Sequence, residues 1–358
     1  MIGSLLYILP AGGYSGGANS VVQEVSGFLA MGIHARIAVD EKNFASFSNA
    51  YASLPSVASN LHSYLGEASL SKLLAQYDNV VMTVATSVPA VISAWEKLST
   101  ESRPRLFYYI QDYEPLFFHK GTPEWHAARR SYEYPLIMQG FAKTDWICET
   151  VQRNHGLTVS RVKASIDHSV YFPLLNIKRT DTVIRVTAMI RPSTPRRAPR
   201  RTCRIMNRIA DELGAQVSVH TFGCTVNELR EAGLKLNAEV THHGRLTREQ
   251  VANLLRRTDL FLDLSDFQAF GRTGLEAMAC GAVPIVTAFG GTNEYIVQGA
   301  NGLATDVRYD EQILADVRAF CSLPESSRKS MYLNAINTAA KYSVTAACAS
   351  ILSVFLSG

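Results

Sequence analysis

The feature that most constrains the fold is an alternation of short apolar runs with segments of helical spacing. Residues 4–9 form an apolar run that stops at Pro10 and opens into Gly12-Gly13-Tyr14-Ser15-Gly16-Gly17. Val21, Val22, Val25, Phe28 and Leu29 then recur at helical spacing, so the opening reads as strand, glycine loop, helix. Residues 34–39, 80–85 and 106–111 read as further strands, 88–98 as a helix, and 145–154 as a less regular stretch. The pattern stops at Ile166-Asp167-His168-Ser169-Val170-Tyr171-Phe172-Pro173. A second series then begins, with strands expected at 185–190, 217–222, 239–242, 260–264 and 283–287. Thr247-Arg-Glu-Gln250 has the form of a capping box, and Gly281 has the place of a helix terminator. Strands alternating with helices imply parallel βαβ units, so the expected fold class is α/β with two Rossmann-like, doubly wound domains. The expected boundaries are 1–170, 171–342 and a C-terminal helix in 343–358 that is free to pack back on the first domain. No short internal repeat is visible, which argues against a solenoid. Open α/β sheets bind ligands beyond the carboxyl ends of their strands, so two such halves facing across a cleft would share one ligand.

Size and composition fit this division. At about 100–200 residues per domain, 358 residues suit two cores. A content of 47% hydrophobic and 18% charged residues lies far from the regime of disorder. The net charge of +4 suits an anionic ligand or a membrane surface and falls short of a dedicated nucleic-acid binder, so no nucleic-acid partner is expected. Cys148, Cys203, Cys224, Cys280, Cys321 and Cys348 show neither a CxxC pair nor zinc spacing, which suggests a reduced, cytoplasmic setting. The first ten residues lack a basic region, and no segment approaches the apolar length of a membrane span. Secretion and integral insertion are therefore not expected, and peripheral contact at the inner face of a membrane stays open.

The most informative segment is Asp266-Phe-Gln-Ala-Phe-Gly-Arg-Thr-Gly-Leu-Glu276, continuing through Ala-Met-Ala-Cys-Gly-Ala-Val-Pro to Gly290-Gly291-Thr292-Asn293-Glu294. Gly271 and Gly274 let backbone N–H groups approach a ligand closely where a helix begins, and a helix N-terminus favours an anion such as a diphosphate. Glu276, one turn inside, suits vicinal hydroxyls. The competing reading is a plain strand-to-helix turn with Glu276 as a solvated surface carboxylate. Upstream, eight arginines between Arg179 and Arg204 stand against the single acid Asp181. Arg191, Arg196 and Arg197 follow an expected strand end, where a planar guanidinium suits phosphate. Arg200, Arg201 and Arg204 read as a solvated helix face. In the first half, Gly13-x-x-Gly16-Gly17 lacks the G-x-G-x-x-G order of a dinucleotide site. Gln111-Asp112-Tyr113-Glu114-Pro115 follows a strand and leads to His119.

The segment Gln268-Ala-Phe270-Gly271-Arg272-Thr273-Gly274-Leu-Glu276-Ala-Met-Ala-Cys-Gly resembles the E-x7-E motif of the retaining GT-B glycosyltransferases of family four, and Gly290–Glu294 resembles that family's G-G-x-x-E turn. The resemblance implies a GT-B fold and a nucleotide-sugar donor. It implies that Glu276 meets the ribose, that Phe270, Gly271, Arg272, Thr273 and Gly274 hold the diphosphate and sugar, and that Arg191 and Arg196, with Arg197 as substitute, clamp the diphosphate. It further places Gly244 and Leu246 at the base-binding turn and Gly13 and Gly16 in the loop that closes on donor and acceptor. The departure is Gln268, which stands where the family has a glutamate and keeps hydrogen bonding without the charge.

The Q-D-x-E-P and R-P-S-T-P-R segments are similar to bacterial rhamnosyltransferases of surface-glycan assembly. This implies L-rhamnose from dTDP-rhamnose moved to a glycan acceptor, with a lipid-linked acceptor left open and Asp112, Glu114 and His119 on the acceptor or sugar side. No metal is expected, since arginines and loop amides can neutralise a diphosphate, although a metal-binding D-x-E at Asp112 and Glu114 competes. The rival functions are a GT-B-fold sugar-nucleotide epimerase and a non-catalytic sugar-nucleotide-binding module.

Overall fold

The computed structural model describes residues 2–134, 137–174 and 183–357. It divides into two compact units, Met1–Ser165 with Val344–Gly358, and Ile166–Ser343. Arg179 and Asp181, at the start of the arginine-rich stretch, lie outside the described residues.

Unit 1 runs β1 (Leu5–Ile8), α1 (Gly16–Ala30), β2 (Ala35–Asp40), α2 (Glu41–Ala50), α3 (Pro55–Ala58), β3 (Leu61–Tyr64) and α4 (Gly66–Leu74). It continues with β4 (Asn79–Met82), α5 (Ser87–Glu96), β5 (Arg105–Ile110), α6 (Pro123–Arg130), β6 (Met138–Ala142), α7 (Asp145–His155) and β7 (Val159–Arg161). All strands pair in parallel in the order β3-β2-β1-β4-β5-β6-β7. The inner strands β1 and β4 are buried at every position, as strands covered by helices on both faces must be.

Unit 2 comprises β8 (Ile184–Met189), α8 (Pro199–Leu213), β9 (Val217–Phe222), α9 (Val226–Glu231), β10 (Val240–His242), α10 (Arg248–Leu255) and β11 (Leu260–Asp263). Then follow α11 (Arg272–Ala279), β12 (Val283–Thr287), β13 (Leu303–Thr305), α12 (Asp310–Ser322) and α13 (Glu325–Ala339). Its parallel sheet has the order β10-β9-β8-β11-β12-β13. The strand order reverses between β8 and β11, and the carboxyl side of such a reversal is where an open α/β sheet leaves room for a ligand.

The last helix, α14 (Val344–Leu356), belongs to unit 1. Its Cys348, Ile351, Val354 and Phe355 join one apolar cluster with Val21, Val25 and Phe28 of α1. Gly27 makes this contact possible, because a Cβ there would lie 2.6 Å from both Cys348 Sγ and Val344 Cγ1. Arg105 fixes the end of α14, its Nη1 donating to the Phe355 carbonyl at 2.8 Å.

Local chemistry explains the element ends. Thr247 Oγ1 accepts from Gln250 N and Gln250 Oε1 accepts from Thr247 N, so the expected capping box forms at the start of α10. Gly281 takes φ +86° behind α11. The stretch 145–154, expected to be less regular, is the helix α7, capped by Thr144 Oγ1 on Ile147 N and ended by Gly156 at φ +66°. Its buried residues are only Ile147 and Val151, too few for a clear apolar stripe. The strands β3, β6, β7 and β13 carry weak signals because they are short or, in β6, interrupted by Gly140. That glycine sits in tight contact, with Ile110 Cδ1 3.3 Å from the position a Cβ would take.

Candidate functional site

The loops at the carboxyl ends of β8, β9 and β10 are tied together by backbone. Ile190 N donates to Phe222 O at 2.8 Å, and Gly223 N donates to Gly244 O at 2.8 Å. Gly223 is required here: it has φ +114°, and a Cβ would lie 2.7 Å from Ile190 O. Gly244 also has positive φ, and the neighbouring Leu246 is partly buried against the cluster that includes Phe222 and Phe261.

Beyond β8 the chain turns through Arg191 into the short helical turn Pro195–Arg197 and reaches Ala198 at φ +47°. The residue before a proline is disfavoured in the right-handed helical region, and Ala198 precedes Pro199. Ala198 takes a left-handed conformation rather than the extended one that a following proline favours, which costs on the order of 1 kcal/mol for a residue with a Cβ. The three arginines of this loop go different ways. Arg191 is exposed, donates from Nε to Met189 Sδ at 3.4 Å, and has no carboxylate partner among the described residues. Desolvation around its guanidinium, then Arg197, lowers its pKa from the ordinary value, with Glu276 and Asp263 opposing. Arg196 lies over the Phe267 ring at 5.8 Å. Arg197 turns to Asp263, with Nη1 3.4 Å from Oδ2. Of the arginines read as a solvated face, Arg201 pairs with Asp266 and Arg204 clamps Asp310 through two bonds of 2.6 and 2.8 Å.

Across the switch point, β11 ends in Asp263, and the chain reaches α11 through Gly271 at φ +77°. Glycine is needed at both motif positions. A Cβ on Gly271 would stand 2.7 Å from Tyr295 Oη, and one on Gly274 would stand 2.6 Å from the same oxygen. Tyr295 is buried, and its hydroxyl donates to Gly271 O at 2.7 Å, which pins the start of α11. Phe270 packs edge-on to Tyr295 with ring centroids 5.5 Å apart.

Gln268 is 3% exposed, and its backbone pairs with the glycine turn: Gln268 N donates to Phe289 O at 3.1 Å, and Gly291 N donates to Gln268 O at 2.8 Å. Gly290 lies so close that a Cβ would fall 2.0 Å from Gln268 O. Asp263 gathers the surrounding side chains. Its Oδ2 accepts from Gln268 Nε2 at 2.7 Å and from Thr273 Oγ1 at 3.0 Å, and its Oδ1 accepts from the Ser265 hydroxyl.

Glu276, one turn into α11, accepts from Arg272 Nε at 2.9 Å, both side chains being largely buried. Burial raises the Glu276 pKa, and Arg272, Arg248 and Arg191 oppose that rise. Burial, with Glu276 nearby, likewise pushes the Tyr171 hydroxyl upward. Arg248 is held by Asp167, with Nη2 to Oδ2 at 2.9 Å. The structure thus brings Arg197, Gln268 and Thr273 together on Asp263, and Arg272 onto Glu276. Asp263, Tyr171, Arg248 and Tyr295 were not singled out in the sequence. The available signal for Asp263 was an acid closing an otherwise apolar strand.

In unit 1, β1 leads through the glycine loop to Ser15, whose Oγ caps α1 by accepting from Ala18 N at 3.0 Å. Neither Gly13 nor Gly16 has positive φ, and a Cβ at either would meet nothing within 4 Å. Glu114 Oε1 accepts from Ala85 N at 2.8 Å, joining the turn Glu114–Phe117 to the loop after β4. Asp112 Oδ1 accepts from Tyr113 N at 2.9 Å, and His119 is exposed. Among the described residues, no group of three or more His, Cys, Asp or Glu is arranged to hold a metal ion, and no single helix is long and apolar enough to cross a membrane.

Two parallel α/β units of this kind define the GT-B fold. Known structures share it: that of HepE from Anabaena, solved in complex with UDP and glucose, matches at a TM-score of 0.78 and 15% identity, covering 99% of this chain and 100% of that one. Sucrose-phosphate synthase from Thermosynechococcus elongatus matches at a TM-score of 0.74 and 11% identity, covering 99% and 98%. Residues 222–338 match the family model described as glycosyl transferases group 1, so the second unit carries that family's signature. Among curated proteins, the O-antigen biosynthesis protein RfbC of Myxococcus xanthus is 28% identical over 200 residues, which is 56% of this chain and 15% of that protein. The N-acetyl-alpha-D-glucosaminyl L-malate synthase of Bacillus anthracis is 35% identical over 116 residues, 30% of each. The chain therefore spans less than a third of the length of either relative.

Proposed function

We propose that the chain is a glycosyltransferase that takes a nucleotide-sugar donor at the switch point of unit 2 and passes the sugar to a glycan acceptor. The observation that carries this reading is the convergence at one sheet reversal of three groups suited to such a donor: the start of α11 at Gly271, the largely buried Glu276 one turn inside, and Arg191 without a carboxylate partner among the described residues. A helix N-terminus and an arginine suit a diphosphate, and an ionised carboxylate accepts hydrogen bonds from vicinal ribose hydroxyls.

In the proposed chemistry the sugar passes through an oxocarbenium-like state with retention at the anomeric carbon. Charge develops on the leaving diphosphate, where Arg191, Arg196 and the loop amides stabilise it without a metal. The favoured donor is dTDP-L-rhamnose, on the strength of the Q-D-x-E-P and R-P-S-T-P-R segments, with a surface polysaccharide or glycoprotein glycan as product. The RfbC similarity supports surface-glycan assembly. The HepE complexes make UDP-glucose the first competitor. Asp112, Glu114 and His119 are assigned to the acceptor or sugar, and the reaction is assigned to the cytoplasm or the inner face of a membrane.

The test is a thermal-shift series with dTDP-L-rhamnose, UDP-glucose and GDP-mannose, since a ligand that binds only the folded state raises its stability by mass action. A shift with dTDP-L-rhamnose alone supports the favoured donor, a shift with UDP-glucose alone replaces it, and no shift with any nucleotide sugar overturns the reading. Incubating the binding donor without acceptor separates transfer from epimerisation, because an epimerase converts the sugar unaided.

A further inference from the structure

The motif that opens the candidate site lacks its usual negative charge, because position 268 is glutamine. The amide is nevertheless bound to a carboxylate. Gln268 Nε2 lies 2.7 Å from Asp263 Oδ2 and 3.0 Å from Ser265 Oγ. A carboxylate only accepts, so the NH2 end of the amide must face Asp263. Both amide protons are then used, and no donor among the described residues reaches Oε1. Asp263 is itself held on several sides, by Thr273 Oγ1, by the Ser265 hydroxyl and backbone N–H, and by Arg197. It is 7% exposed and stands at the end of β11, on the switch point.

We infer that Asp263 is a positioning residue for donor recognition. It supplies, five positions earlier, the negative charge that a glutamate at 268 would carry, and it locks the Gln268 amide with its carbonyl oxygen as the end offered to a hydroxyl of the donor sugar. The inference rests on the reading given under Proposed function. It makes position 268 an acceptor of fixed direction, selective for a sugar hydroxyl that donates. A carboxylate at 268 would be equally able to accept, but against Asp263 it would meet a like charge. The pair therefore works as one unit, one carboxylate and one amide, and the order of the two is exchangeable.

A purely structural role for Asp263 is the alternative, since a carboxylate bonded to Thr273 at the start of α11 also favours the helix dipole. The two roles separate in calorimetric titrations of UDP-glucose against UDP, and of dTDP-L-rhamnose against dTDP, where the difference within each pair isolates the sugar. Asp263→Asn is expected to lose about tenfold of the sugar-dependent gain in affinity while binding of the bare nucleotide stays within about twofold. Gln268→Glu is expected to lose a similar factor, because two carboxylates then face each other. The double variant Asp263→Asn/Gln268→Glu exchanges the two groups and is expected to restore the gain to within about threefold of the wild type.

Failure of the double variant to recover over either single variant overturns the inference, as does an Asp263→Asn protein with an unchanged sugar-dependent gain. Melting temperatures that fall equally in all three variants, with the sugar-dependent gain intact, assign Asp263 to the structural role and also overturn it. If wild-type protein binds neither nucleotides nor nucleotide sugars, the functional reading itself fails. If it binds nucleotides and gains nothing from the sugar, only the present inference falls.

Discussion

Arg272 Nε donates to Glu276 Oε1 at 2.9 Å, so the carboxylate proposed to meet the ribose is held from one turn earlier on its own helix. Burial raises the Glu276 pKa, and the folded protein therefore binds that proton more tightly than the unfolded chain does. Stability due to this group is present at low pH and is lost as pH rises from the ordinary glutamate value of 4.5 through the folded pKa. Glu276→Gln is expected to remove that slope, read as a flatter dependence of urea unfolding free energy on pH above 4.5. Arg272→Met removes a group that opposes the rise. Donor binding, which needs the ionised carboxylate, should then set in at higher pH than in the wild type, as measured by titration calorimetry across a pH series.

Arg191 carries no carboxylate partner among the described residues and is exposed, so its removal should spare the fold. Arg191→Ala is expected to change unfolding free energy by less than about 0.5 kcal/mol. The same substitution should weaken a nucleoside diphosphate by about 1.5–3 kcal/mol, the range for a hydrogen bond to a charged group. Unchanged turnover of every nucleotide sugar would show that this arginine is not part of a diphosphate clamp.

Gly274 leaves space that Tyr295 Oη fills. Gly274→Ala should cost about 1–3 kcal/mol through overpacking. Because the nearest obstacle is that one oxygen, the double variant Gly274→Ala/Tyr295→Phe should recover part of the loss, whereas Tyr295→Phe alone should be destabilising by leaving Gly271 O without its donor. Denaturant unfolding of the four proteins checks the cycle.

In unit 1, Lys143 Nζ lies 2.6 Å from Glu24 Oε1, with side chains 8% and 0% exposed. Lys143→Met leaves a buried carboxylate without its ion-pair partner and is expected to cost about 3–5 kcal/mol. Glu24→Gln on that background should return most of it, because the group left behind is no longer charged. Chemical denaturation of the single and double variants measures the difference.

Much of this organisation was legible in the chain. The runs that became β1, β11 and β12 are largely apolar and buried at every position, as strands covered on both faces must be, β9 alternates at its start, and the segment 344–356 announced its helix by composition. The chemistry of the candidate site was legible only where it is local. Gly271, Gly274 and Glu276 are neighbours in sequence, so their spacing spoke for them. Asp263 draws part of its meaning from Arg197, 66 positions away, and from the direction in which the Gln268 amide points. Neither is a property of spacing. The strands β6 and β13 escaped for a different reason: glycine and polar residues in a short strand are accepted only because neighbours pack against them. In the arginine-rich stretch Arg200 and Arg204 are exposed on α8, as a solvated helix face requires, and what composition could not show is that Arg201 and Arg204 pair with Asp266 and Asp310.

The placement of α14 gives the chain an order of birth. Unit 1 takes its first 165 residues from the start of the chain and its closing helix from the end, with unit 2 inserted between them. A ribosome therefore completes unit 2 before it has made Cys348, Ile351, Val354 and Phe355, which the apolar cluster around α1 needs. Until the thirteen residues of α14 are made, the flank of α1 that they cover in the folded unit lacks its apolar partner.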